Sequence, residues 1–263
     1  MSYENLEIAV KDGVATIWMN RPDVRNAFNE TMIEELTRSF QAVDADPGVR
    51  ALVLAGRGPA FCAGADLNWM KKMSGYSVEE NRADALGLAT MMNTLYMMKK
   101  PTIARVHGPA FAGGMGLVAA CDIAVAAEAA EFCLSEVKLG LAAATIGPYV
   151  LAAIGERHAR RYFLTAERFS AAEAMRIGLA HDVVPANELD ACVDALLAHL
   201  LAASPAAITA SKELIRSVAH GAIAEDMIAD TAARIAAARA SADGKEGIRS
   251  FLEKRKPAWA QAR

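Results

Sequence analysis

No apolar run in this 263-residue chain approaches the roughly 18 residues that a membrane-spanning helix requires, although 54% of its residues are hydrophobic. Its start, Met1-Ser-Tyr-Glu-Asn-Leu-Glu7, also lacks the basic stretch followed by an apolar one that marks a secretory signal. A formal net charge of −3, with no long basic run, argues against a nucleic-acid partner. The four cysteines, Cys62, Cys121, Cys133 and Cys192, show no Cys-x-x-Cys spacing, and the five histidines complete no ligand set with them. Neither a metal site nor a redox pair is therefore expected, and the thiols read as buried and reduced. Cys62 has no neighbouring His or Lys to lower its pKa, so it is not read as a nucleophile. Gly-x-Gly-x-x-Gly and Walker phosphate loops are missing too, as are short tandem repeats and disordered linkers. These absences leave a soluble, cytoplasmic protein long enough to bury a substantial core.

The patterning that is present alternates strand and helix. Segments 6–10 and 14–19, separated by Lys11-Asp-Gly13, predict a hairpin. Asn29 is positioned to cap a helix whose Met32, Ile33, Leu36, Phe40 and Val43 share one face, and Asp46-Pro-Gly48 ends it. Ala51–Ala55 is wholly apolar, as in a strand covered on both faces. A helix over about 78–98, a strand over 102–106, a helix over 114–120 and a strand over 122–126 follow. This order makes the class α/β. Beyond Gly140 helical patterns cover about 146–155, 157–165, 171–177 and 187–203. Ala203-Ser-Pro205 then opens a largely helical terminal section, so we place a boundary near residue 204.

Two short stretches carry the chemistry. Ala60-Phe-Cys-Ala-Gly-Ala-Asp-Leu67 and Gly108-Pro-Ala-Phe-Ala-Gly-Gly-Met-Gly-Leu117 each put small residues where a strand should end. There, bare backbone N–H groups can point at a ligand oxygen. Two such donors converging on one point would stabilise an oxyanion, and Glu136 is the carboxylate that would complete an enzyme. Close helix–strand packing is the other reading of Gly113-Gly114.

These motifs, together with Ser135-Glu136…Leu139-Gly140 and Cys121-Asp122, resemble the crotonase superfamily of enoyl-CoA hydratases and isomerases, and the likeness runs from Asn20-Arg-Pro22 to Lys254-Arg-Lys-Pro257. The resemblance implies a spiral of ββα units (1–204) with a helical C-terminal trimerisation region (205–263), hence a homotrimer or a hexamer of paired trimers. It implies an acyl-CoA substrate and no separate cofactor. Carried over by position, the N–H groups of Ala65 and Gly113 form the oxyanion hole and Glu136 is catalytic. Arg25, Ala27, Ala63, Gly64, Asp66, Leu67, Gly114, Gly116 and Lys254 contact substrate or coenzyme A, with Arg25 near the phosphates and the Ala63 carbonyl near the adenine. Lys254, Arg255 and Lys256 reach the 3′-phosphate or simply close a helix.

One departure matters for mechanism. Two-glutamate hydratases of the family carry their first glutamate where this chain has Gly116, leaving Glu136 as the sole match. One glutamate suits a 3-enoyl to 2-enoyl isomerase, or a hydratase whose second partner is a substrate group or another side chain. The stretches 63–72, 116–122 and 160–168 resemble bacterial methylglutaconyl-CoA hydratases of leucine breakdown, so hydration of a branched, carboxylated acyl chain is expected, with Gly116 making room for it. An idle acyl-CoA-binding or RNA-binding protein on the same scaffold is the alternative from another class. Asp66 reads as fixing loop geometry and His107 and His158 as structural. The methionines at 70, 73, 91, 92, 97 and 98 read as core rather than as a flexible acyl tunnel, and Trp69 as either core or pocket lining.

Overall fold

The computed structural model describes residues 3–219 and 221–260. Packing divides the chain into two units, residues 1–98 with 102–194, and residues 99–101 with 195–263.

The first unit opens with β1 (Leu6–Lys11) and β2 (Val14–Met19), antiparallel and in register from Leu6 opposite Met19 to Lys11 opposite Val14. Asp12 and Gly13 both have positive φ, 50° and 79°, the twist that a tight hairpin turn needs. In α1 (Glu30–Ala45) the Asn29 side chain accepts from the Met32 N–H at 2.9 Å, and all five residues of the predicted apolar face are buried. β3 (Ala51–Gly56) is buried along its whole length and runs parallel to both β2 and β4 (Thr102–Val106). Between β3 and β4 lie α2 (Leu67–Met73) and α3 (Val78–Tyr96). Patterning predicts α3 but not α2, whose seven residues are too few to display a helical period.

After β4 come β5 (Ala110–Phe111), α4 (Gly113–Ala120), β6 (Ile123–Ala127) and β7 (Glu131–Cys133). Next are α5 (Gly147–Thr165), β8 (Phe169–Ser170), α6 (Ala171–Arg176) and β9 (Asp182–Val184). Among the described residues the main sheet runs β1-β2-β3-β4-β6-β9, parallel after its first hairpin. A small second sheet, β5-β7-β8, stands apart from it. Gly155, at φ 71° and ψ 162°, breaks α5 into the two pieces that the pattern implies. α7 (Leu189–Ala202) leads out of this unit.

In the second unit α8 (Pro205–Val218), α9 (Glu225–Ala240) and α10 (Ala242–Leu252) pack together. Ser204 caps α8 and donates to Asp243 at 2.5 Å, which ties the start of α8 to α10.

Candidate active site

Both small-residue loops leave the C-terminal ends of strands, where parallel sheets gather ligands. Residues 62–66 of the first loop are pinned almost atom by atom. The Cys62 N–H donates to the Pro109 carbonyl (3.1 Å), Ala63 to Arg25 (3.0 Å) and Asp66 to Phe28 (2.8 Å), while the Gly64 carbonyl receives the Phe28 N–H at 2.7 Å. Gly64 turns the chain with φ 94°. Among the described residues the Ala65 N–H donates to nothing.

The second loop reaches its donor by a different route. Ala112, at φ 47° and ψ −119°, precedes α4 and offers no side-chain cap, so the first-turn N–H groups are left over. The Gly113 N–H has no acceptor among the described residues and lies buried at the positive end of the helix dipole. A Cβ on Gly113 would stand 2.6 Å from Phe28 Cε2, one on Gly114 2.5 Å from the Cys62 carbonyl oxygen, and one on Gly64 3.1 Å from Ala112 Cβ. The two loops therefore touch along 62–64 and 112–114. Gly113-Gly114 serves close packing and leaves a donor unpaired at once.

Pairing of β5 with β7 sets Phe111 beside Cys133, and the Ala112 N–H donates to the Cys133 carbonyl at 2.8 Å. Three residues further on, Glu136 opens a 3-10 turn (Glu136–Leu139) that Gly140 closes at φ 72°. Its Oε2 is buried with no hydrogen-bond partner. Burial pushes the Glu136 carboxyl above the usual carboxylate range, with only a bond to its own backbone acting the other way. A carboxyl of that kind exchanges protons nearer neutrality.

Two unpaired N–H donors thus lie on touching loops, with a carboxylate just past the neighbouring strand. Known proteins resemble the chain over nearly its whole length. The family described as enoyl-CoA hydratase/isomerase matches residues 9–262. The chain belongs to this family. A crotonyl-CoA hydratase of Syntrophomonas wolfei is 34% identical over 97% of this chain and 98% of its own length. The crystal structure of an enoyl-CoA hydratase from Shewanella pealeana superposes with a TM-score of 0.95 at 43% identity, covering 97% of this chain and 96% of that one. AtuE of Pseudomonas aeruginosa superposes at 0.94 and 37% identity, covering 98% and 100%. The α/β architecture is thus the crotonase fold, and the protein is an enzyme of the hydratase and isomerase class acting on acyl-CoA.

Contrary to expectation, Gly116 does not open space for an acyl branch. A Cβ there would meet Ile146 Cγ2 at 2.3 Å and Met92 Cε at 3.2 Å, and Ile146 and Met92 are themselves buried. An isoleucine just ahead of α5 occupies the volume, which no local reading around Gly116 could reveal.

The Asp66 carboxylate is fully committed to structure. Its Oδ1 accepts from the Asn68 and Trp69 N–H groups at 2.8 and 3.3 Å, and its Oδ2 pairs with Arg21 Nη2 at 3.1 Å. Burial alone would raise its pKa, but those three donors outweigh burial and hold it low. Trp69 is buried and donates its indole N–H to Asp84 at 3.0 Å, tying α2 to α3. The Ala27 carbonyl accepts from Arg21 Nη1 at 2.5 Å, Arg25 is exposed at φ 54°, and Leu67 is exposed. Lys254 belongs to the second unit, where it leaves α10 at φ 54°. Arg255 is held by Glu246 at 2.6 Å and Glu253 at 2.6 Å.

Of the cysteines Cys62 and Cys133 are buried, but Cys121 and Cys192 are only half-buried, which corrects the expectation that all four are interior. All four are free thiols. Met91, Met92 and Met98 belong to the core, whereas Met97 is exposed and Met70 and Met73 are half-buried. His107 Nε2 meets the Gly58 carbonyl at 2.9 Å, and burial holds its imidazole below the usual pKa. No single helix among the described residues is long and apolar enough to cross a membrane.

Proposed function

We propose that this enzyme adds water across the C2–C3 double bond of a 2-enoyl-CoA and that its substrate is 3-methylglutaconyl-CoA. The observation that carries the reading is Glu136, a half-buried carboxylate whose Oε2 is buried and unpartnered, flanked in sequence and pairing by the loop that bears the free Gly113 N–H. In the proposed reaction the water oxygen attacks C3 while its proton passes to Glu136. The π electrons move toward the thioester carbonyl, whose oxygen takes up the charge between the Ala65 and Gly113 N–H groups. Glu136 then returns a proton to C2, and the substrate has gained one water. Each such donor contributes on the order of 3 kcal/mol when its target becomes an oxyanion. The terminal carboxylate of the branched substrate supplies the second polar contact to the attacking water, in the role that a first glutamate fills elsewhere in the family.

Support for the branched acid comes from the resemblance in 63–72, 116–122 and 160–168. Arg25, with the Ala63 carbonyl and Lys254, is assigned to the coenzyme A moiety, and the working assembly is a homotrimer or hexamer, which mass determination in solution tests. A second reading, isomerisation of a 3-enoyl-CoA, is favoured by one observation. With Ile146 packed over Gly116, one carboxylate must do all the proton transfer, and shuttling between C4 and C2 needs only one.

Products read by mass from 3-methylglutaconyl-CoA and from a linear 3-enoyl-CoA decide between them. Gain of one water on the branched substrate is expected. Rearrangement of the linear substrate at unchanged mass, with hydration of neither, overturns the hydratase reading.

A further inference from the structure

Ahead of α1 the chain passes through a strained bend in which Arg25 and Asn26, neither of them glycine, both have left-handed backbones at φ 54° and 56°. Side chains rarely adopt this region, and asparagine does so more readily than most. Two such residues in succession persist only where the surroundings hold them.

Backbone bonds within the bend hold them in part, with the Arg25, Asn26 and Ala27 N–H groups donating to Pro22, Arg21 and Val24, and the Asn26 side chain ties the bend to the rest of the fold. It is completely buried, and it binds three backbone groups, one in its own bend and two just past β3. Its Oδ1 accepts from the Arg21 N–H at 2.8 Å, and its Nδ2 donates to the carbonyls of Arg57 at 2.8 Å and Ala60 at 2.9 Å. A Cβ on Gly56, the last residue of β3, would stand 2.7 Å from the Phe61 carbonyl oxygen and 2.8 Å from Asn26 Nδ2. The amide is thus wedged where the 21–28 bend crosses the exit from β3.

This wedge stands directly behind the first oxyanion donor. The bend that Asn26 fixes supplies the acceptor for the Ala63 N–H (Arg25 carbonyl), the donor to the Gly64 carbonyl (Phe28 N–H) and the acceptor for the Asp66 N–H (Phe28 carbonyl). Ala65 is therefore bracketed by peptides whose orientation depends on the bend, while its own N–H stays unpaired. The Phe28 ring also covers the face of Gly113, so the same bend touches the second donor.

We propose that Asn26 is a positioning residue for the oxyanion hole, aiming the Ala65 N–H by clamping the 21–28 bend to residues 57–60. The inference rests on the functional reading above only in taking Ala65 as a donor to a thioester oxygen.

The test is Asn26→Gly, which keeps the left-handed backbone at little cost while removing all three side-chain bonds. Two quantities are read. One is kcat and KM for an enoyl-CoA. The other is the carbonyl stretching frequency of bound butyryl-CoA, which falls when donors polarise the thioester. Expected are a kcat lower by about 30- to 100-fold, a KM changed by less than about 3-fold, and a carbonyl frequency moved back toward that of free butyryl-CoA. Asn26→Ser, which is milder, should lie between. A folded Asn26→Gly protein with unchanged kcat and unchanged carbonyl frequency overturns the proposal. If the Gly variant does not fold, the Ser variant decides by the same criteria. If the unaltered enzyme turns over no enoyl-CoA, the functional reading fails, while the carbonyl shift of bound butyryl-CoA still decides whether Asn26 aims a donor.

Discussion

The two loops that offer N–H donors reach the same end by opposite means. At Gly113 the donor is left over by secondary structure, because the first turn of α4 has no capping side chain. At Ala65 it is left over by tertiary structure, because every other N–H from Cys62 to Asp66 is engaged with another segment or with Cys62 itself. A helix terminus stays aimed as long as the helix exists. A donor bracketed by long-range hydrogen bonds is only as well aimed as the most distant of them. Damage at Gly113 should thus be local and steric, whereas the Ala65 side should be sensitive to residues that never approach a substrate.

The largest break removes what both loops serve. Glu136→Gln should lower kcat by about 10³-fold while leaving acyl-CoA binding within about 3-fold, as measured by steady-state kinetics and calorimetric titration. Next comes the shared seam. Gly114→Ala places a Cβ 2.5 Å from the Cys62 carbonyl oxygen, a backbone atom that cannot swing aside, so it pushes the loops apart. A kcat lower by about 10²-fold and a loss of about 2 kcal/mol of stability in urea unfolding are expected. Gly113→Ala meets the Phe28 ring instead. A ring can tilt, so a loss of about 10-fold in kcat with a smaller change in stability separates the two glycines.

A fourth prediction follows from the raised pKa of Glu136. The folded state holds this proton more tightly than the unfolded chain, because burial disfavours its carboxylate. Its contribution to stability is therefore fully present below the ordinary carboxylate pKa and is lost as pH rises through the raised one. Glu136→Gln should stabilise the protein relative to its parent more at about pH 8 than at about pH 4, and an equal difference at both would contradict the assigned shift. The smallest effect calibrates the others. Gly87 lies on the exposed side of α3, where an added Cβ would find nothing within 4 Å. Gly87→Ala should add about 0.5–1 kcal/mol of stability and leave both kinetic constants alone.

Local sequence discloses those parts of the fold that depend on local sequence. The hairpin turn, the Asn29 cap and the buried β3 run are consequences of neighbouring residues, and their bounds in the structure fall within a residue or two of the pattern. The small β5-β7-β8 sheet is not visible there, since strands of two or three residues carry no period and exist only through their partners. The same division holds at the candidate site. Ala65, Gly113 and Glu136 stand out because small residues and a motif surround them. Asn26 and Ile146 do not. One is an asparagine in a polar loop, the other an isoleucine before a helix, and what each does is set by residues about 30 positions away, at 57–60 and 116.

The buried thiol of Cys62 bears on how such a site survives its own substrate. A conjugated enoyl thioester is an electrophile at C3, and a thiolate is the side chain most apt to add to it. Cys62 lies three residues from Ala65, yet burial pushes its thiol up to about 12, against the opposing pull of the Gly64 N–H. At neutral pH only about one copy in 10⁵ carries the nucleophilic form. Prolonged incubation with a 2-enoyl-CoA should accordingly leave the mass of the protein unchanged, so that the loop bearing Ala65 stays chemically silent toward an electrophile.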